Sequence, residues 1–399
     1  MKFFSKKDNS TSGIIGVDIG AGGIKMVELM PQKGRAKLLT YGHAERRAHT
    51  DGALIDQPQK AAKAIHDVIK KSGMKATSVN AALPSQAVFH TIVTIPQPKS
   101  KKDVLKPLIE AQVKKLLPRP LDEMILDSTV IDKHLLPKDE ERSGKSSKGG
   151  RSGSEDNKGD DEKDKDKDQK EKKEEETLHK GERKHIRVLV SGAPKVLVQK
   201  YVDVFKIAKL ELSSLETEAF ALIRSLIGKD PSRIMIVDIG YERTNINIVS
   251  HGIPFLHRSI KAGGANVTQA IAKQMSISPA QAEQVKFDLA LSAQKEQKMP
   301  NIIREAVMPI LHEVKYALEL YDQQDFHEHT TVDKIILTGG SAHLPFLDPF
   351  LTEALNISVY LGNPWARVAS PEGSQAVLGE IGPRMAVATG LAMKIIKDA

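Results

Sequence analysis

Two aspartates, Asp18 and Asp238, end short apolar runs and are each followed by a glycine-bearing turn, in "IIGVDIGAGGIKMVEL" at 14–29 and "IMIVDIGYERTNINIV" at 234–249. In the first stretch Gly20, Ala21, Gly22 and Gly23 form a loop almost without side chains, whose backbone N–H groups can approach a phosphate closely. On one copy a decorated hairpin turn, with the aspartate bonding turn amides, is the better explanation of the pattern. Two copies far apart in one chain point instead to a duplicated architecture with two facing lobes, a geometry that holds a polyphosphate and its metal between them.

The elements that carry these residues follow from periodicity. Ile24, Met26, Val27 and Leu29 alternate as the second strand of a hairpin, and 37–44 reads as a third strand after the turn residues Gln32 to Gly34. A helix over 57–72 closes at Gly73, "SVNAALP" (78–84) returns as a strand, and "AVFHTIVTIP" (87–96) alternates as another. Helical spacing covers 101–118, with Pro107 early and Pro118 at the end. Strands at 125–131 and 185–194 flank a tract of Lys, Glu, Asp, Ser and Gly, which cannot bury enough apolar area to offset its ordering entropy and reads as a disordered loop inside a lengthened hairpin. A helix over 196–209 and the segment "SSLETEAFALIRSLI" (213–227) lead to the second hairpin. A strand then runs into Gly263 and Gly264 and a helix, Ser278 and Pro279 open the next helix, and a helix over 302–323 carries Pro309. Finally "DKIILTGG" ends a strand in Gly339 and Gly340 before another helix, and small residues build a last helix at 385–396. Strands and helices joined by glycine turns make the chain α/β.

Composition narrows the function classes. The 399 residues are long enough for two cores, and the absence of cysteine excludes disulfides and thiolate chemistry. No run reaches the roughly 18 apolar residues of a membrane span, and "MKFFSKKDNSTSG" lacks the apolar region of a secretory signal, so a cytoplasmic protein is expected. The net charge is +8, yet residues 139–184 hold 14 Lys/Arg against 16 Asp/Glu, so the basic excess lies in the ordered part. With 4% aromatics and no basic patch interleaved with them, nucleic acid is not an expected partner. The histidines lack metal-ligand spacing.

Taken in order, strand-Asp-Gly hairpin, helix, second strand-Asp-Gly hairpin, strand-Gly-Gly-helix and terminal small-residue helix resemble the phosphate-1, phosphate-2, adenosine and connect-2 motifs of the actin/Hsp70/sugar-kinase superfamily. Within it, "GVDIGAGGIKMVEL", "AALPSQAVFHTIVTIPQP", "VDIGYERTNINIVSHGIPFLHRSIKAGGANVTQAIA" and "ILTGGSAHLPFL" are most similar to the PilM branch of the FtsA/PilM family of actin-like ATPases. The resemblance implies a two-lobed actin-like (ribonuclease H-like, duplicated) fold. It would have a flexible terminus at 1–12, a first lobe from 13–85 and 193–230, and a small extra domain at 86–192 holding the charged loop 137–184. A second lobe at 231–399 would send its connect-2 helix back to the first.

The same resemblance implies ATP and Mg2+ as ligands. Asp18 and Asp238 would hold the ion through water, since magnesium keeps much of its hydration. Gly20, Ala21, Gly22, Gly240 and Thr244 would offer donors to the phosphates, with Lys25 as a point charge. Gly263 and Gly264 would let the backbone pass the nucleotide, Glu283 and Lys286 would meet ribose or base, and Gly339 with Gly340 would floor the adenine pocket. Glu110 would position an attacking water. One departure stands out: Tyr241, Glu242 and Arg243 put bulk and negative charge in a turn the superfamily builds from small residues, so slow hydrolysis is expected, with nucleotide acting as a lobe-closing ligand.

The implied function is a cytoplasmic component of the type IV pilus platform, peripheral to the inner membrane. It would be recruited by the tail of a PilN-type bitopic membrane protein along Val88, Phe89, Ile92, Ile95, Ile186, Val188 and Val190. Other platform proteins, assembly motor ATPases and a second copy of the chain are further expected partners, and membrane contact is indirect. An FtsA-like division protein linking FtsZ to the membrane is disfavoured because the chain stops at Ala399 without an amphipathic helix. A sugar kinase is disfavoured because no acid beside a sugar can be nominated.

Overall fold

The computed structural model describes residues 13–46, 52–96, 105–131, 185–296, 298–323 and 331–396. The N-terminal 1–12 and the charged loop 137–184 lie outside the described residues, as does the start of the helix expected at 101–118.

The first lobe is built on a six-stranded sheet. Its strands are β1 (Ile14–Gly20), β2 (Gly23–Gln32), β3 (Arg35–Glu45), β4 (Ser78–Leu83), β8 (Glu211–Thr217) and the short β14 (Val368–Ala369), in the order β14-β3-β2-β1-β4-β8. The second lobe has five strands, β9 (Ile234–Ile239), β10 (Thr244–Ser250), β11 (Ile253–Ile260), β12 (Lys334–Thr338) and β13 (Val359–Leu361), in the order β11-β10-β9-β12-β13. Both sheets are an antiparallel meander of three strands whose first member pairs in parallel with a fourth, and the fourth with a fifth. The duplication expected from the two Asp-Gly hairpins is thus a repeat of whole-sheet topology. It sets Asp18 and Asp238 at equivalent positions, each near the end of its sheet's first strand.

Between β4 and β8 the chain makes a separate unit: a turn at 85–87, β5 (Phe89–Pro96), α2 (Leu105–Val113), β6 (Met124–Ile131) and β7 (His185–Pro194). Its sheet is ordered β5-β7-β6, so β7 is paired on both sides and the tract 132–184 connects the two ends of the β6–β7 hairpin. Helix α1 (Pro58–Ser72) ends at Gly73 in the left-handed region and packs with α3 (Lys195–Ile207) on the first sheet, burying Ile65, Val68, Tyr201 and Phe205. The second sheet is covered by α5 (Gly264–Met275), α6 (Pro279–Glu296) and α7 (Asn301–Asp322), with Ile271, Ile303, Val307 and Ile310 in the core, and α8 (Leu347–Leu355) buries Leu347 and Leu351 there.

Segment 213–227 supplies most of β8, then the short helix α4 (Glu218–Leu222), then a wide turn at 223–227. Two elements differ from expectation. The helix expected over 101–118 is described from Leu105 and ends at Val113. The terminal helix α9 (Gln375–Ala392) starts ten residues before the expected 385, through Gly379, Gly382 and Pro383, residues that read locally as breakers. It persists because its second half is buried on all sides, wedged between the lobes: Ala388 and Ala392 meet β1, while Gly390 meets α4. Tertiary burial there outweighs propensity.

Candidate functional site

The β1–β2 hairpin brings Lys25 opposite Asp18, and Lys25 Nζ donates to Asp18 Oδ2 at 3.1 Å. Lys25 therefore sits on the aspartate rather than free for an incoming anion. Gly23 requires glycine, with φ +129° and a Cβ that would lie 2.0 Å from the Ala44 carbonyl. The β9–β10 hairpin repeats the arrangement, with Asp238 opposite Asn245.

The two aspartates face a third carboxylate. Glu218, the first residue of α4, accepts from the Ser85 backbone N–H at 3.0 Å and from Asn245 Nδ2 at 3.1 Å. Burial, then the charges of Asp18 and Asp238, push Glu218 up to about 8. Burial and Asp18 likewise raise Asp238 to about 6, opposed by Lys25. Three acidic groups thus converge at the junction of the lobes with one lysine among them. Among the described residues, no group of three His, Cys, Asp or Glu side chains is placed to chelate a metal directly.

This cluster makes a pH prediction. Glu218 has a folded pKa above its unfolded value, so its contribution to stability is full below the unfolded pKa and is lost as pH rises through about 8. His90 and His257, buried and held down to about 4, act in the opposite sense at lower pH, where they are charged only in the unfolded chain. The window above the ordinary histidine value of 6.5 therefore belongs to Glu218. The ligand-free protein should lose roughly 1 kcal/mol of stability per pH unit between about pH 7 and 8.5. Glu218→Gln should flatten that slope in thermal melts, and an unchanged slope in the variant would show that another group carries it.

The turns around the carboxylates are locked to one another. Gly240 N–H donates to the Arg243 carbonyl at 2.8 Å, and Thr244, fully buried, donates its hydroxyl to the Ala262 carbonyl at 2.7 Å. These two expected phosphate donors are thus spent within the protein, a correction to the sequence reading. The amides of Gly264 and Ala265 at the start of α5 bond the carbonyls of Gly240 and Tyr241, and a Cβ on Gly263 would sit 2.7 Å from both carbonyls. These glycines pack loop on loop. Gly339 (φ +91°) lies against Asp238, where a Cβ would come 2.4 Å from Oδ1, and its N–H donates to the Pro383 carbonyl of α9. Tyr241 fills the space next to Gly22, 3.1 Å from where that residue's Cβ would be, so the bulky residue noted in the sequence stands between the two turns.

Glu283 and Lys286 on α6 form a pair at 2.7 Å, and both bond Thr268 of α5, at 2.5 Å and 3.1 Å. Glu283 also raises the Tyr241 hydroxyl, after burial, which places this group beside the second turn. Glu110 is elsewhere. It lies on α2, over the inserted sheet, with Lys106 at 3.9 Å, and the acid beside Asp18 and Asp238 is Glu218. Nothing local marks Glu218 in sequence: an acid in a helix's first turn is ordinary.

The expected docking strands are corrected too. Ile95, Val188 and Val190 are buried under α2 with Ile109 and Val113, and Phe89 and Ile186 pack on the same cluster. Ile92 faces the other way, with Leu189 and Ile131, against Ile253 and Phe255 of the second lobe. Val88 belongs to the core of the first lobe. Packing on both faces accounts for the apolar residues of these strands, with Phe89, Ile92 and Ile186 half-buried.

Comparison with known proteins adds to this geometry. The sequence model of a family described as type IV pilus assembly protein PilM matches residues 16–142 and 177–396. A chain of a solved PilM-PilN type IV pilus biogenesis complex is 22% identical, with a TM-score of 0.71 over 98% of this chain and 99% of that one. MreB 5 of Spiroplasma citri bound to AMPPNP is 13% identical, with a TM-score of 0.51 over 96% and 95% of the two chains. The same protein bound to ADP gives 0.50 at 13% identity over 95% of each. At these identities the likeness shows the two-lobed actin-like ATPase fold.

Proposed function

The chain belongs to the PilM family of type IV pilus assembly proteins, and from that premise we propose that it is a nucleotide-binding component of the pilus platform in which Mg-ATP acts as a lobe-closing ligand. The observation that carries this reading is the convergence of Asp18, Asp238 and Glu218, with Lys25 in opposition, at the meeting of two equivalent hairpins. Such a donor set fits a hydrated divalent cation: burial and then mutual repulsion raise Asp238 and Glu218, the ion relieves the repulsion, and oxygen ligands suit magnesium. Asp18 and Asp238 would hold its waters, the Gly20–Gly22 turn and Gly340 would border the phosphates and nucleoside, and Glu283 with Lys286 would reach the ribose. Bound nucleotide in the MreB structures supports the class of ligand.

Hydrolysis is expected to be slow. In the metal-free protein Glu218 is largely protonated at neutral pH and so a poor base, and Tyr241 crowds the turn where a small residue would leave room for water.

We assign the protein to the cytoplasmic face of the inner membrane, with the cytoplasmic tail of a PilN-type protein as its partner. No helix among the described residues is long and apolar enough to cross a membrane, and the similar chain comes from a complex with PilN. An extended tail has the edge strands β5 and β6 of the inserted sheet on which to add backbone hydrogen bonds. Fluorescence anisotropy with a labelled tail peptide should show saturable binding in the micromolar range or tighter, about 8 kcal/mol, and a shift in that affinity on adding Mg-ATP. No binding in either condition would overturn the adaptor reading.

A further inference from the structure

Arg384 follows Pro383 on α9, and the Pro383 carbonyl holds both the Gly339 N–H and the Thr338 hydroxyl, each at 3.0 Å. The arginine backbone is thereby pinned to the turn that abuts Asp238. Its Nε stands 3.7 Å from where a Cβ on Gly340 would be. On the other side its Nη1 donates to Glu45 Oε1 at 2.8 Å. Glu45 is opposite Gly23 in the β2–β3 register, and the next residue, Arg46, donates its N–H to the Gly22 carbonyl. The Arg384–Glu45 pair therefore links the strand beside the first glycine turn to the Gly339–Gly340 turn. The arginine's field reaches further: burial lowers both His43 and His343, and the Arg384 charge adds to the lowering of each, ahead of Lys25 at His43.

Glu45 is 61% exposed and Arg384 29% exposed, so this is a solvent-screened pair worth little to stability. A guanidinium held at the rim of a cleft by a weakly committed carboxylate has an oxyanion partner that another oxyanion can replace. Its planar donors match phosphate oxygens as well as carboxylate oxygens. Lys25, by contrast, is taken by Asp18 inside the cleft.

We propose that Arg384 is a polyphosphate-binding residue of this cleft, exchanging Glu45 for a phosphate when a nucleotide enters between the two glycine turns. The inference rests on the nucleotide reading above and names the cation that serves it. Glu45 is then a competitor for the same guanidinium, which gives the two residues opposite effects on affinity.

Isothermal calorimetry on the full chain tests this with three probes: Mg-ATP, magnesium tripolyphosphate and adenosine. Arg384→Ala should weaken Mg-ATP and magnesium tripolyphosphate by roughly tenfold or more and leave adenosine unchanged, with Arg384→Lys recovering part of the loss. Glu45→Ala should tighten both phosphate probes about two- to fivefold, a gain that a purely structural role for the pair would not produce. If the native protein binds none of the probes, the nucleotide reading itself fails. If it binds and Arg384→Ala matches it, only the arginine assignment falls. Loss of adenosine in place of tripolyphosphate would overturn the phosphate assignment in favour of a base contact. Should Arg384→Ala fold poorly, the Glu45→Ala arm alone decides, because a mostly exposed carboxylate can be removed without disturbing the core.

Discussion

Asp238→Asn is expected to change ligand-free stability and ligand affinity in opposite directions. The carboxylate is raised to about 6 by burial and by Asp18, so its charge opposes folding at neutral pH, and a neutral side chain of the same shape removes that opposition. The thermal midpoint of the ligand-free variant at pH 7.5 should therefore rise. Calorimetric affinity for Mg-ATP should fall roughly a hundredfold, about 2.8 kcal/mol, because the site loses one of the two carboxylates that hold the hydrated ion. The nucleotide's affinity without magnesium should change little. Asp238 is a better test than Asp18, whose removal also strands Lys25. A variant that is less stable and binds Mg-ATP normally would mean that Asp238 only terminates its strand.

Two glycines in α9 should respond to the same substitution with opposite signs. A Cβ on Gly390 would lie 1.9 Å from the Ala221 carbonyl of α4, and backbone cannot yield as a side chain tip does. The Gly390 carbonyl also accepts from Arg224, whose guanidinium is doubly bonded to the buried Glu216, so any shift of the helix disturbs that pair as well. Gly390→Ala should cost about 3 kcal/mol or more in urea unfolding. Gly379, in the exposed first half of the same helix, has nothing within 4 Å of a Cβ, and Gly379→Ala should stabilise by about 0.5–1 kcal/mol through propensity alone. Similar small effects at both sites would contradict the wedge geometry of α9. Gly16 on β1 meets the same helix at another face, where a Cβ would lie 1.9 Å from the Ala388 carbonyl, so the close packing is two-sided.

What the residues declare alone is the part governed by short-range rules. Period-two alternation around Asp18 and Asp238, with glycines that only a turn needs, was enough to place both hairpins, to pair them as a duplication and to expect a two-lobed α/β chain. The family likeness follows from the same segments. Local spacing says nothing about which donors are already spent. Thr244 and Gly240 look like phosphate ligands in one dimension, and their partners, Ala262 and Arg243, become visible only when β10 and the following loops are folded. Covered strands and docking strands are equally apolar, so Val188 and Val190 could not be told from a binding groove until α2 was seen to lie on them.

The acids make the same point. Glu218 lies 200 residues from Asp18 in sequence and belongs to a short helix that no periodicity announces, whereas Glu110 sits on a clear amphipathic pattern and is remote from the cluster. Arg384 acquires meaning only through Glu45, more than 300 residues away, and through Gly340. The two Asp-Gly hairpins, the α/β class and the family are legible one residue after another, because hydrophobic period and glycine turns act within a few residues of chain. Tertiary structure alone decided which carboxylates share a field, which donors remain available and where a breaker-rich helix survives, because desolvation, charge coupling and close packing act between atoms that are near only after the chain has folded.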